Sequence, residues 1–166
     1  ANSINETKKA DNVSKIEFLN QAITNFYIKT GYLPCPAPSN AAISSSGYGI
    51  STTCSAGAVS GVTDTGAVRM GVIPVRTLGL PDDAGIDSYG NRFTYGIIKD
   101  FGINATTFDS TVASTTAMNI NSYTLPGPVV TNSNVLTTPN SLAYIVISHG
   151  QNSNGATTYS GVTVPC

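Results

Sequence analysis

The chain has no tryptophan, one histidine, two methionines and three cysteines, and charged side chains make up only 10% of its 166 residues. Each shortage removes a class of function. With 8 Lys+Arg against 9 Asp+Glu and a net charge of -1, there is neither a basic footprint for nucleic acid nor a polybasic patch for an anionic membrane. Cys35, Cys54 and Cys166 form no C-x-x-C and have no histidine close by in sequence, so a zinc site lacks ligands. No glutamate follows Glu17, which leaves a glycosidase without an obvious pair of carboxylates to hold across a cleft. The phosphate-binding G-x-x-x-x-G-K, a G-x-G-x-x-G following a strand, and H-E-x-x-H are all absent. No run approaches the ~20 apolar residues that span a bilayer, and no charged-then-apolar signal opens the sequence, so the chain reads as a soluble molecule.

What is present is polar but neutral. Roughly a third of the chain is Ser, Thr or Asn, a composition that suits an exported or cell-surface protein better than a cytosolic enzyme. The length fits one domain with a real core. Cys35 and Cys54 flank a Ser/Gly-rich stretch with little apolar material to hold it down. A disulfide between them is expected, stabilising by about 3 kcal/mol through restriction of the unfolded chain and implying an oxidising compartment. Cys166 is left over, either free, pairing between chains or competing for one of the others.

Val13, Ile16, Leu19, Ile23, Phe26 and Tyr27 recur at three- and four-residue steps with Ala22 on the same side, which predicts an amphipathic helix with one buried face. Ser3 and Glu6 form a capping-box pattern and Gly31 a stop signal, so the helix is expected from about residue 4 to 30. That is roughly 40 Å of helix for a domain whose radius of gyration is about 15 Å. Its first turns are nearly all polar, and this amino-terminal half is expected to project or to be covered by something outside the chain. Residues 31–90 read as a loop region, with three prolines at 34, 36 and 38, a Ser/Gly loop to about 67, and a short helical turn from Pro74 through Leu78 ended by Gly79-Leu80-Pro81. Strand signals occupy 91–98, 122–125 and 142–150, the last β-branched enough to suggest a central strand, while the tail 161–166 suggests an edge; residues 102–121 read as loop. The expected fold is α+β, a long helix lying on one face of a three- to four-stranded antiparallel sheet over 91–166.

Three sites invite chemistry. Ser148 and His149 are adjacent, but neighbours on a strand point to opposite faces and no G-x-S-x-G elbow is present, so the imidazole is expected to bond backbone at a turn. Asp82, Asp83 and Asp87 stand beside Pro81, Gly85 and Gly90 and read as turn formers. Asp87 with the amides of Asn152 and Asn154 supplies oxygen ligands for calcium, thin in charge; otherwise no cofactor is expected. Glycosylation acceptor patterns at Asn5, Asn12 and Asn104 are of the kind chance produces in so Thr-rich a chain.

The combination of "FYIKTGYLPCPAP", "GVIPVRTLGLP", "DSYGNRFTYGI" and "AYIVISHGQNSNGA" after a long helix resembles the soluble part of type IV pilin-like proteins, including type II secretion pseudopilins. In that family the turn before the strand carries Asp, Trp, Gly and Asn; here Asp87, Tyr89, Gly90 and Asn91 occupy it, with Tyr in place of Trp. The resemblance implies that this turn positions the following strand, with positive φ at Gly90-Asn91, and does not catalyse. "ISHGQNSNG" stands where major pseudopilins have a calcium loop and lacks its acidic residues. The resemblance further implies a leader and about 25 apolar residues ahead of this segment, which anchor the subunit in the inner membrane before it joins other pilin or pseudopilin subunits through the helix. Residues 1–12 would then continue a spine covered by filament neighbours, the location would be the bacterial cell envelope, periplasmic or on a pilus, and loops 36–66 and 102–140 would be the partner surfaces. A secreted hydrolase or a carbohydrate-binding or adhesin domain using Ser148, His149 or the Asp82–Asp87 cluster is the rival reading.

Overall fold

A computed structural model describes residues 2–103, 121–123, 132–135 and 143–166, the second and third segments as backbone only. The fold is α+β. Helix α1 (Asn2–Thr30) is followed by β1 (Thr63–Thr65), β2 (Val68–Val72), β3 (Asn91–Arg92), β4 (Thr94–Ile98), β5 (Asn121–Tyr123), β6 (Asn132–Val135), β7 (Tyr144–Ile147) and β8 (Thr157–Thr158). An antiparallel four-stranded sheet has the order β1-β2-β4-β7, with β3-β8 and β5-β6 forming two-stranded sheets.

α1 ends where Gly31 takes φ +81° and its amide bonds Tyr27 O at 2.7 Å, a turn only glycine enters without strain. The start differs from the expected capping box: Ser3 lies inside the helix, its carbonyl accepting from Thr7 Oγ1 at 2.9 Å, and Glu6 pairs with Lys9. Leu19 and Ile23 are fully buried, flanked by half-buried Ile16, Ala22, Phe26 and Tyr27. Val13 is not on that face. It is 57% exposed, and the inward position one residue earlier belongs to Asn12, 6% exposed.

The sheet begins earlier than the sequence suggests. β1 falls within the stretch read as loop, and β2, broken in pattern by Arg69 and Gly71, lies beside β4 in the middle of the sheet. Conversely, β7 is an edge among the described residues, although its β-branched run suggested a central place. Register puts Arg69, Gly71, Tyr95, Ile97, Tyr144 and Val146 on one face. Here Tyr95 and Ile97 pack with Leu19, Ile23, Leu33 and Cys54, and Tyr95 OH donates to Pro34 O at 2.8 Å. Phe93 passes the chain from β3 to β4 and is fully buried. The turn from Pro74 is realised, Leu78 N bonding Pro74 O at 3.0 Å. The tail pairs through β8 and a single bridge between Thr157 and Thr163 rather than a strand over 161–166. Of the expected strand 122–125, Ser122 and Tyr123 lie in β5. The remainder, most of the expected loop over 102–121 and most of the proposed 102–140 surface fall outside the described residues.

Cys35 and Cys54 form the expected disulfide, compatible with an extracytoplasmic location. Cys166 is free and exposed. Among the described residues no helix is long and apolar enough to cross a membrane.

The loop between the cysteines is fastened in a way its composition did not announce. All three arginines of the chain donate into its backbone. Arg69, 0% exposed, bonds Thr53 O, Ala56 O and Gly57 O at 2.7 to 2.9 Å and clasps Asp64 with Nε and Nη2, both at 2.7 Å. Arg76 bonds Ile43 O and Ser45 O and clasps Asp82. Arg92, 1% exposed, bonds Ser39 O, Ala41 O and Tyr159 O, with no carboxylate partner among the described residues and its Nε unbonded among them. The buried Tyr48 ring lies against both Arg76 and Arg92, 5.2 and 5.0 Å from the guanidinium carbons.

These pairs set the pH range of stability. Hydrogen bonds from Arg69 and Arg76 hold Asp64 and Asp82 below their ordinary value of 3.8. The unfolded chain therefore binds more protons, and stability present above about pH 4 is lost as pH falls through the depressed values. At the alkaline end, burial raises Tyr95 well above 10.0, so stability present below that value is lost as pH rises past it. Urea denaturation across pH should show a plateau between these limits and a decline at each end. A stability maximum below pH 4 would contradict the ion pairs.

Candidate functional site

The richest polar cluster lies where the first half of α1 meets the turn before β3 and the segment after β7. Asp87 starts the turn. Its Oδ1 accepts from the amides of Tyr89 and Asn91, both at 2.9 Å, while Asp87 N bonds Asn91 O at 2.7 Å. Gly90, at φ +84°, makes the reversal possible. Asn91, expected to share that positive φ, instead sits in β3 and is buried, its Nδ2 donating to Ser153 Oγ at 2.8 Å. An aspartate whose side chain bonds amides two and four residues on is a local turn device.

The second carboxylate oxygen reaches across the fold. Ser148 Oγ donates to Asp87 Oδ2 at 2.6 Å and accepts from Asn12 Nδ2 at 3.1 Å. Asn12 Oδ1 in turn accepts from Ser88 N at 2.7 Å. One asparagine thus joins helix, turn and the end of β7. About two turns nearer the start of α1, Tyr89 OH donates to Asn5 Oδ1 at 2.6 Å, with Lys8 Nζ 5.3 Å from the Tyr89 ring centroid and Ser88 Oγ donating to Asp11 at 2.6 Å. The polar start of α1 therefore does not project freely. It docks by Asn5 and Asn12, while Ser3, Ile4 and residues 6–11 remain exposed.

His149 does not join this cluster. Its Nδ1 lies 3.0 Å from Asn154 O, which can only accept, so Nδ1 carries the proton and Nε2 accepts from Thr94 Oγ1 at 2.8 Å. The imidazole bonds backbone at a turn through Nδ1, as the sequence implied. The Ser148 proton is directed to a carboxylate instead, so nucleophile and base are separately engaged. The rest of the Asp82–Asp87 group is divided: Asp82 and Asp83 open a 3-10 turn (Asp82–Gly85), and Asp82 serves Arg76.

The calcium ligands read from sequence are not drawn together by these contacts. Asp87 is 3% exposed with three donors on its oxygens, Asn152 and Asn154 are exposed, and Asn154 O belongs to His149. Among the described residues no group of three His, Cys, Asp or Glu is placed to hold a metal. Asn12 is buried and Asn5 bonded to Tyr89, so neither offers a free glycosylation acceptor; Asn104 lies outside the described residues. What the arrangement does is tie helix, turn and the segment after β7 together through Asn12, Asp87 and Ser148.

Sequence reasoning placed a turn at 87–91 with Asp87 bonding local amides, gave Asn91 a positive φ that it does not take, and missed Asn5, Asn12 and the arginine clasps. The arginines carried a signal: "VRMGV", "PVRTL" and "NRFTY" each place a cation inside an apolar run, where it must find acceptors. The chain has no match among protein-family models, curated proteins or solved structures.

Proposed function

We propose that the chain is the soluble part of a filament subunit of the type IV pilus or type II secretion pseudopilus kind, assembling through α1 and carrying no catalytic site. The observation that carries this reading is the distribution of apolar side chains on α1. One face serves the chain's own core, yet Ile4, Val13, Phe18 and Ile28 are 50 to 75% exposed. At about 3.6 residues per turn, Ile4 and Phe18 fall on one flank of the helix, Val13 on the other and Ile28 on the outer side between them. A single partner covers one patch. Side chains exposed on three sides of one helix suit neighbours arriving from several directions, as in a polymer. The order of elements, the disulfide between Cys35 and Cys54 and the Asp87–Asn91 turn support the same reading, and it entails an inner-membrane anchor ahead of this segment and a place in the cell envelope.

The test substitutes Ile4→Asp, Val13→Asp and Ile28→Asp in the full-length protein. In the soluble domain each should change stability by no more than about 0.5 kcal/mol, because the positions are exposed. In cells, burying a carboxylate between subunits costs several kcal/mol, so the share of the protein recovered in sheared filaments or cross-linked pseudopili should drop by about tenfold or more. Unchanged assembly in all three variants would remove the helix from the interface and the proposal with it.

A further inference from the structure

At the carboxyl-terminal end of α1, opposite the end held by Asn5 and Asn12, the chain encloses a half-open cleft of about 370 Å³. One wall is aromatic. Phe26 and Tyr32 meet edge to face, ring centroids 5.7 Å apart at 83°. The other wall is the backbone and hydroxyls of residues 51–55 with Thr77, and the Cys35–Cys54 disulfide lies at the base. Among the described residues no charged side chain lines it.

The hydroxyls are not equivalent. Thr30 Oγ1 donates to Phe26 O and Tyr32 O, and Thr52 Oγ1 to Pro36 O, so those groups are satisfied internally. Ser51 Oγ is buried and has no hydrogen-bond partner. Thr77 Oγ1 accepts from Ser51 N at 2.8 Å and keeps its own proton to give. Thr53 and Ser55 are exposed.

We propose that this cleft binds a neutral saccharide. The chemistry is that of a polyhydroxylated ring: aromatic faces meet its C–H surface, and side-chain hydroxyls, which both donate and accept, match its own. Anionic ligands find no cation among the described residues that line the cleft itself, Lys29 lining the adjoining groove instead. A purely aliphatic ligand displaces water from the exposed hydroxyls of Thr53 and Ser55 without replacing its hydrogen bonds. The hydroxyl wall is also held before any ligand arrives: Arg69 Nη1 bonds Thr53 O at 2.7 Å, Thr52 N bonds Pro36 O at 3.0 Å, and the disulfide fixes Cys54. Pre-ordering lowers the entropic cost of binding. A second groove of about 440 Å³ continues from the cleft along α1 toward Phe18, sharing Phe26, Thr30 and Thr77 with it. The trough therefore has room for more than one ring, and the ligand class is an oligosaccharide. The inference shares Phe18 with the helix surface offered to filament neighbours and uses none of the residues of the Asp87 junction.

The test titrates the isotope-labelled full chain with glucose, galactose, mannose, N-acetylglucosamine and disaccharides of each, up to about 50 mM, a range that detects millimolar affinity. At least one sugar should produce saturable amide shifts confined to residues 51–55, Tyr32, Thr77 and Gly102, a disaccharide binding more tightly than its monomer. Tyr32→Ala and, as a variant confined to exposed hydroxyls, Thr53→Val with Ser55→Ala should each weaken that response by about tenfold, the variants' spectra otherwise matching the parent. Absence of localised shifts for every sugar would overturn the proposal. So would shifts mapping elsewhere, unchanged affinity in Thr53→Val/Ser55→Ala, or a stronger response at the same residues to the neutral tripeptide Ala-Ala-Ala. None of these outcomes bears on filament formation, which is read separately in cells.

Discussion

Arg69→Met is expected to lower the unfolding free energy by about 3 to 5 kcal/mol, the range for removing one partner of a buried charge cluster. Methionine keeps much of the length and the apolar stem, so the comparison isolates the guanidinium. What is lost is a set of five short hydrogen bonds, three to Thr53 O, Ala56 O and Gly57 O and two to Asp64. Asp64 is 29% exposed and can turn to water. The carbonyls can do so only if their loop lifts from the sheet, exposing the core side chains beneath it, Cys54 among them. For a chain of this length the thermal midpoint should drop by about 10 °C. Asp64→Asn should cost far less, about 1 kcal/mol, because it leaves the carbonyl contacts in place. Thermal and urea denaturation of the two variants decide the matter. If Arg69→Met costs no more than Asp64→Asn, the guanidinium is not what holds the loop.

The second large effect is expected from Cys35→Ser combined with Cys54→Ser. Opening a cross-link between residues 19 apart removes about 3 kcal/mol through the unfolded chain alone. Native packing adds to this. Gly102 lies so close that a Cβ there would sit 2.6 Å from Cys54 Sγ and 2.7 Å from Cys35 Sγ, and Leu33 N bonds Phe101 O at 2.9 Å beside it. Loss of the sulfurs should loosen the 3-10 turn at Lys99–Gly102, seen as faster amide exchange at Leu33. Because Arg69 and the disulfide restrain the same loop, their effects should fall short of the sum in the triple variant. Full additivity, or an unchanged exchange rate at Leu33, would show the two devices to be independent. Cys166, exposed and free, should have no part in either result.

The helix, the disulfide, the Asp87 turn and β4 were legible because each rests on local regularities: a period near 3.6, two cysteines around a weak loop, a short acid before Gly-Asn, an alternating strand. Elements whose stability comes from elsewhere in the chain were not. Val13 was placed inward because it is apolar and correctly spaced, but the surface facing that level of α1 is the polar Asp87–Ser148 pair, so Asn12 goes in and Val13 out. β1 is polar and three residues long, and β2 contains an arginine and a glycine; both are strands because Arg69 bonds across to Asp64 and because Gly71 lets Ala37 O approach to 2.4 Å of where a Cβ would be. The apolar run of β7 reported that its faces are covered, which says nothing about whether both its edges are paired. His149 bonds backbone at a turn as expected, although β7 ends at Ile147 and the separation from Ser148 comes from the partners Asn154 and Asp87 rather than from strand alternation.

The arginine contacts have one more consequence. Each guanidinium grips peptide oxygens of residues 39–57, and the buried Tyr48 ring is the side chain of that segment described against them. The path of that segment is thus dictated by its main chain, while Ala42, Ser44 and Ser46 face water. Such a segment behaves as a frame: its outward letters can be rewritten without redrawing the line they are written on, which makes it a natural place to insert a new epitope.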